Sequence, residues 1–134
     1  SRCQREGRGF DPLCPLQIFY MSDLLNKKCV PCEGGVFPFN ISQIHKYQKK
    51  VDGWNVIKND NGIFYLGKKF KFKNFLESQE FINKVGKVSE NEGHHPDILF
   101  GWGYAEIKIT THAIEGLSEN DFILAAKIDH LINV

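Results

Sequence analysis

Apolar residues recur at helical spacing at Ile41, Ile44, Tyr47 and Val51, directly after Asn40, a residue type that caps helix N-termini. The spacing predicts a helix over about 41–50, ended by Asp52-Gly53. Periodicity then changes from helical to alternating. Phe64, Leu66, Phe70 and Phe72 share one parity, with Lys69 and Lys71 on the other. Together with Trp54–Lys58 and the turn Asn59-Asp60-Asn61-Gly62, this predicts a hairpin of strands over about 54–58 and 63–72, because Asn-Gly supplies the positive φ of a tight turn. Asn74 begins an N-x-x-E pattern with Glu77 and heads a helix to about Ser89, whose stripe is Phe75, Ile82, Val85 and Ser89, widened by Phe81 and Val88. Gly86, within it, is expected to admit a close neighbour.

A loop over Glu90–Pro96 leads to two further strands at about 98–102 and 106–111, the first made irregular by Gly101 and Gly103. The loop His112–Leu117 precedes Ser118, the cap of a last helix with Asp121 three residues on and Leu124, Ala125, Ile128, Leu131 and Ile132 as its apolar face. The order α-β-β-α-β-β-α predicts an α+β domain over 37–134, a four-stranded antiparallel sheet with three helices on one face. Residue identities show no internal repeat.

Residues 21–36 read as irregular lead-in, broken by Pro31, Gly34 and Gly35. Residues 1–20, SRCQREGRGFDPLCPLQIFY, have no period and precede Met21, the only methionine. They read as a leader or non-native extension, with Met21 a natural start, and are expected to add nothing to stability. The 134 residues are 42% hydrophobic, enough for a core. A net charge of +1 speaks against nucleic acid as a partner, and no apolar run approaches the length of a membrane span. All four cysteines, Cys3, Cys14, Cys29 and Cys32, fall in the first quarter, unlike a disulfide scaffold. The expected compartment is reducing, and cytoplasmic by default.

Three histidines are candidates for chemistry: His94 and His95 ahead of the rigid Pro96, and His112 at a strand end. Imidazole gives and takes protons near neutrality. Taken one at a time, each is better explained as solvated or locally capping; the tandem pair brings the odds to even. Carboxylates near them in sequence are Glu90, Glu92, Asp97 and Asp121. Asp121 either completes the Ser118 capping box or reaches back to a histidine, and the two roles can coexist. Cys29-Val30-Pro31-Cys32 has the spacing of half a zinc site, but no second pair follows; no bound metal is expected. Trp54 is either the wall of a flat ligand's site or core. The basic run Lys68, Lys69, Lys71, Lys73 reads as a solvated strand face.

The ordered set Glu90-x-x-x-His94-His95-Pro96, Trp102, Thr111-His112, Gly116-Leu117-Ser118 and Asp121 resembles the pterin-4a-carbinolamine dehydratase family over about residues 50–132. Gly53-Trp54 and Phe70-x-Phe72-x-x-Phe75 add to the likeness, and Cys29-Val30-Pro31-Cys32-Glu33-Gly34-Gly35 is similar to the lead-in of bacterial and plant-type members. The glycines in Ile98–Ala105 depart from the usual aromatic-rich strand. The resemblance implies loss of water from a 4a-hydroxytetrahydropterin to give the quinonoid dihydropterin, recycling the pterin of aromatic amino acid hydroxylases without metal or organic cofactor. It implies His94 and His112 as acid–base residues facing one pterin-sized space. It also implies His95 as an orienting residue, with Glu90, Asp121, Trp54, Pro96 and Thr111 in support. Homodimers that extend the sheet, or homotetramers through the long helices, follow from the same likeness. The alternative is a dimerisation or assembly module without catalysis on the same fold.

Overall fold

Local capping chemistry sets where the helices begin. Asn40 Oδ1 accepts from Gln43 N and Gln43 Oε1 accepts from Asn40 N, both at 2.9 Å, and this reciprocal pair starts α1 (Ile41–Gln48). Asn74 Oδ1 accepts from Glu77 N at 2.9 Å at the head of α2 (Phe75–Glu92). Glu77 reaches one residue further than a capping box requires, accepting from Lys73 N at 3.1 Å. The structure, a computed structural model, describes residues 23–30 and 36–132. The expectations for residues 1–20, Met21 and Cys32 lie outside these residues.

Strands β1 (Asn55–Lys58) and β2 (Phe64–Lys71) form the first hairpin. Asn59 Oδ1 ties its turn by accepting from Asn61 N at 2.9 Å and Ile63 N at 3.0 Å. β3 (Asp97–Gly101) and β4 (Tyr104–Ile109) form the second, closed by Trp102-Gly103 with Gly103 at φ 77°. The sheet order is β1-β2-β4-β3 and every pairing is antiparallel. After β4, a 3₁₀ turn (His112–Ile114) and a short link lead to α3 (Glu119–Ile132). The α+β fold with its four-stranded antiparallel sheet is as the sequence predicts.

Registers Leu66↔Ile109 and Phe70↔Ala105 put Leu66, Phe70, Ala105, Ile107 and Ile109 on one buried face, and all three helices join them in a single cluster. α3 lies deepest: Phe122, Ile123, Leu124, Ala125 and Ile128 are at most 1% exposed, so the helix is covered nearly all round rather than along one stripe. Leu131 packs partly buried against the core as assigned, while Ile132, assigned to the same face, is exposed at the helix end.

Five other expectations change. The long helix runs to Glu92 rather than Ser89, so Glu90 is helical and not in a loop; the stop is Gly93, left-handed at φ 64°, whose N–H returns to the helix carbonyls. Its buried stripe is Ser78, Phe81, Val85 and Ser89, while Phe75 overhangs β3 and packs on Phe100. A Cβ at Gly86 would meet nothing within 4 Å among the described residues, so none of them is the close neighbour expected there. Lys68 does not share the solvated face of Lys69 and Lys71. It sits on the core parity, bonding Asp129 Oδ1 at 2.8 Å and Asp52 O at 3.1 Å. The lead-in, too, is partly built into the fold: residues 23–25 are helical and Leu24 is fully buried.

Candidate active site

Two helix ends and one strand end meet at Asp121. The carboxyl group is fully buried in the first turn of α3, and each oxygen has a separate task. Oδ2 accepts from Ser118 N and from Thr111 Oγ1, both at 2.8 Å. Since Thr111 donates to Asp121, its own oxygen accepts from Ser118 Oγ at 3.0 Å. Oδ1 bonds His94 Nε2 at 2.7 Å. Asp121 therefore holds the capping position and a histidine at once, and the histidine is His94.

The backbone delivers His94 to that bond. Gly93 turns the chain at the end of α2, and His94 N bonds Ser89 O at 3.2 Å, wrapping the residue back over the helix end. The His94 side chain is 12% exposed. With Nε2–H donated to a carboxylate oxygen, Nδ1 remains the ring atom for proton traffic. His112 opens the 3₁₀ turn immediately after Thr111, and its side chain is exposed. One carboxyl group thus fixes His94 directly and, through Thr111, the strand end that carries His112.

His95, the next residue, points elsewhere. Its Nε2 bonds Glu90 Oε1 at 2.5 Å across the helix end, and both side chains are largely exposed. Pro96 follows and leads straight into β3.

Trp54 does not join this group. It is 2% exposed, packs edge-on against Phe70, and donates from Nε1 to Asp129 Oδ2 at 3.0 Å. Asp129 follows Asp121 by eight residues on α3, about 12 Å along the axis. The indole belongs to the core in this chain. Burial pushes the Asp129 carboxyl above the usual carboxylate range, against the hydrogen bonds from Lys68 and Trp54. A cleft of ≈ 480 Å³ lined by Leu25, Asn26, Val88, Glu92, Lys127 and His130, among others, also lies apart from the three candidate histidines.

The lead-in also packs against this part of the fold, through Cys29 of the Cys-x-x-Cys pair. Cys29 is half-buried; burial, then the negative charge of Glu92, pushes its thiol up to about 12. It stays protonated at neutral pH, and Sγ donates to Asn120 O at 3.5 Å. Among the described residues no three His, Cys, Asp or Glu side chains gather as a ligand set. Nor is any helix among them long and apolar enough to cross a membrane.

Residues 38–131 match the family model described as pterin 4 alpha carbinolamine dehydratase. A relative from Halorhodospira halophila is 51% identical over 108 residues, covering 81% of this chain and 96% of its own length. One from Rubrobacter xylanophilus is 46% identical over 111 residues, covering 83% of this chain and all of its own. Both are provisionally named pterin-4-alpha-carbinolamine dehydratases. Among solved structures, a transcriptional coactivator/pterin dehydratase from Brucella melitensis superposes with a TM-score of 0.63 at 26% identity, covering 70% of this chain and 97% of that one. A pterin dehydratase-like protein identified as a RuBisCO assembly factor of the alpha-carboxysome superposes with a TM-score of 0.50 at 26% identity, covering 59% and 88%. With the family model spanning most of the chain and two relatives near half identity, the chain belongs to the pterin 4 alpha carbinolamine dehydratase family.

Proposed function

We propose that this protein removes water from a 4a-hydroxytetrahydropterin, with His94 and His112 as the proton-transferring residues. The C4a–O bond breaks as the departing hydroxyl takes a proton from an acid. The N5–H bond loses its proton to a base. A C4a=N5 double bond forms, giving the quinonoid dihydropterin and one water. The reaction needs two proton carriers near adjacent ring atoms, and nothing in its electron balance calls for a redox partner. His95, on its exposed pair with Glu90, orients the pterin, and Pro96 limits the motion of that loop. An aromatic amino acid hydroxylase supplies the substrate, and the chain works as a homodimer or homotetramer.

The observation that carries this reading is the shared Asp121: one buried carboxyl group bonds His94 at 2.7 Å and Thr111, the neighbour of His112, at 2.8 Å. Oδ2 of Asp121 serves the helix cap, and the other oxygen is committed to His94, as a buried carboxyl group is costly unless its lone pairs are used. Stopped-flow dehydration of freshly made 4a-hydroxytetrahydropterin tests it. Turnover well above the spontaneous rate is expected, with kcat falling about 10²-fold or more in His94→Ala and in His112→Ala. The double replacement falls less than the product, because spontaneous dehydration sets a floor. Near-normal turnover in both single variants would transfer the site to other residues. No turnover in the parent protein would favour an assembly module, the role named for one structural relative.

A further inference from the structure

Two consecutive residues of the lead-in grip the two helix ends that form the site. Cys29 N donates to Glu92 Oε1 at 2.9 Å. Val30 N donates to Asn120 Oδ1 at 3.0 Å, and Asn120 Nδ2 donates back to Val30 O at 2.5 Å. Glu92 is the last residue of α2, two before His94; Asn120 immediately precedes Asp121. The strap at 29–30 therefore joins the same two helix ends that the His94–Asp121 bond joins. The two residues are chain neighbours, so the end of α2 and the start of α3 are tied across one peptide unit and two side chains.

Glu92 is the centre of this arrangement. Its side chain is 5% exposed, and its second oxygen takes Lys127 Nζ at 2.6 Å, a further tie from α2 to α3. A carboxylate at a helix C-terminus faces the negative end of the macrodipole, and α2 has no basic residue in its last turn to offset this. Burial also works against the charge, yet the bonds from Lys127 and Cys29 N prevail and hold the carboxyl below its usual range. Local helix stability does not account for a glutamate here. Its bonds to Cys29 N and Lys127, which join the end of α2 to the lead-in and to α3, do.

We infer that Glu92 is a positioning residue for His94: through Cys29 on one oxygen and Lys127 on the other, it fixes the end of α2 against α3 so that the imidazole meets Asp121 in one geometry. This rests on the dehydratase reading where it concerns turnover, and stands on the bonds alone where it concerns the ring. Glu92 touches no reacting atom and acts through His94.

The test compares Glu92→Ala, Glu92→Gln and Lys127→Met with Lys50→Ala, which removes the Lys50–Asp23 ion pair at the other end of the lead-in. The first readout is the His94 ring N–H resonance, protected from solvent exchange by Asp121. The second is the split between kcat and KM in pterin dehydration. Glu92→Ala is expected to lose the protected resonance and about tenfold in kcat, with KM within about twofold. Glu92→Gln retains an acceptor for Cys29 N and should recover most of both. Lys50→Ala should lower the thermal midpoint and change neither. Should Glu92→Ala not fold, Lys127→Met carries the test, with partial loss of both signals expected. A folded Glu92→Ala or Lys127→Met protein with the resonance and kcat of the parent overturns the inference, as does equal loss in Lys50→Ala. If the parent does not turn over pterin, the function reading fails while the resonance still decides this one.

Discussion

His94 and His95 are chain neighbours, each bonded through Nε2 to a carboxylate, and their surroundings could hardly differ more. The His94–Asp121 pair is 12% and 0% exposed, with the carboxyl group further bonded to Thr111 and Ser118 N. The His95–Glu90 pair is 59% and 80% exposed, and none of its other atoms is tied down by the bonds that hold the first. The shorter of the two contacts, 2.5 Å against 2.7 Å, is the weaker anchor. An exposed pair contributes about 0–1 kcal/mol because water competes for both partners and two side chains lose freedom. A buried one with its lone pairs occupied defines a single arrangement, since every departure leaves a polar group unpaired. Contact length does not rank these pairs; the number of other bonds each carboxylate must keep does. The first pair suits a group that transfers a proton at a set position, the second a group that adjusts to a ligand.

The strongest way to break the comparison is Asp121→Ala. It removes the acceptor shared by the Thr111 hydroxyl, Ser118 N and His94 Nε2, in a buried site. A loss of about 3 kcal/mol or more in unfolding free energy is expected, together with at least the kcat loss of His94→Ala. Urea unfolding and stopped-flow dehydration measure the two. Asp121→Asn keeps the shape and should lose less stability than activity. Equal stability of Asp121→Ala and parent would mean the buried pair is no better anchored than the exposed one.

Glu90→Ala and His95→Ala address the exposed pair. Stability should stay within about 0.5 kcal/mol of the parent in each. His95→Ala should raise KM more than it lowers kcat, and Glu90→Ala should do so more weakly, because the glutamate acts only through His95. A drop in kcat for His95→Ala as large as that for His94→Ala would erase the division of labour between the neighbours.

Most of this arrangement is legible from residue order, for reasons particular residues make plain. Asn40, Asn74 and the Asn59–Gly62 turn act within four residues, so sequence shows them directly. Parity likewise assigns Leu66 and Phe70 to the core face. The candidate set His94, His112, Thr111 and Asp121 stands out through its likeness to the family's ordered motif, since the residue types alone leave the histidines at even odds. What sequence does not show is which carboxylate takes which histidine. Asp121 lies nine residues after His112 but bonds His94, twenty-seven residues back, because α3 starts beside the end of α2. Glu92 and Asn120 are less visible still. Their partners are backbone groups of residues 29 and 30, and a backbone amide carries no signature in composition or period. Trp54 went to the core because Asp129, eight residues beyond Asp121, offers its indole a buried acceptor.

The mildest way to separate the two pairs is acid. For Glu92 and Glu119 burial is the largest single influence and raises each, but the opposing bonds together bring both below the usual range: Lys127 and Cys29 N for Glu92, Lys27 and Tyr47 for Glu119. A carboxyl group with a lowered folded-state pKa adds stability that is present above its unfolded value, about 4.3 for glutamate, and is lost as pH falls through the lower folded value. Asp129 has the opposite sign: its raised pKa means that the folded chain binds that proton more readily, so its contribution improves as pH falls from its folded value toward the unfolded one. Between neutrality and about pH 4.3 the glutamate ties therefore stay intact, and as pH falls further, through the lowered folded values, they loosen the lead-in from the end of α2 and the start of α3. The thermal midpoint of the parent should fall on acidification below that point. Glu92→Gln, starting lower, should fall less steeply, since one of the titrating ties is already gone. In the same titration the protected ring N–H of His94 should weaken as the strap is released. His95, whose partner Glu90 has no link to the lead-in, provides the internal reference in the same spectra. Parallel midpoint curves for parent and Glu92→Gln down to pH 3 would show that the strap does not report to the buried pair.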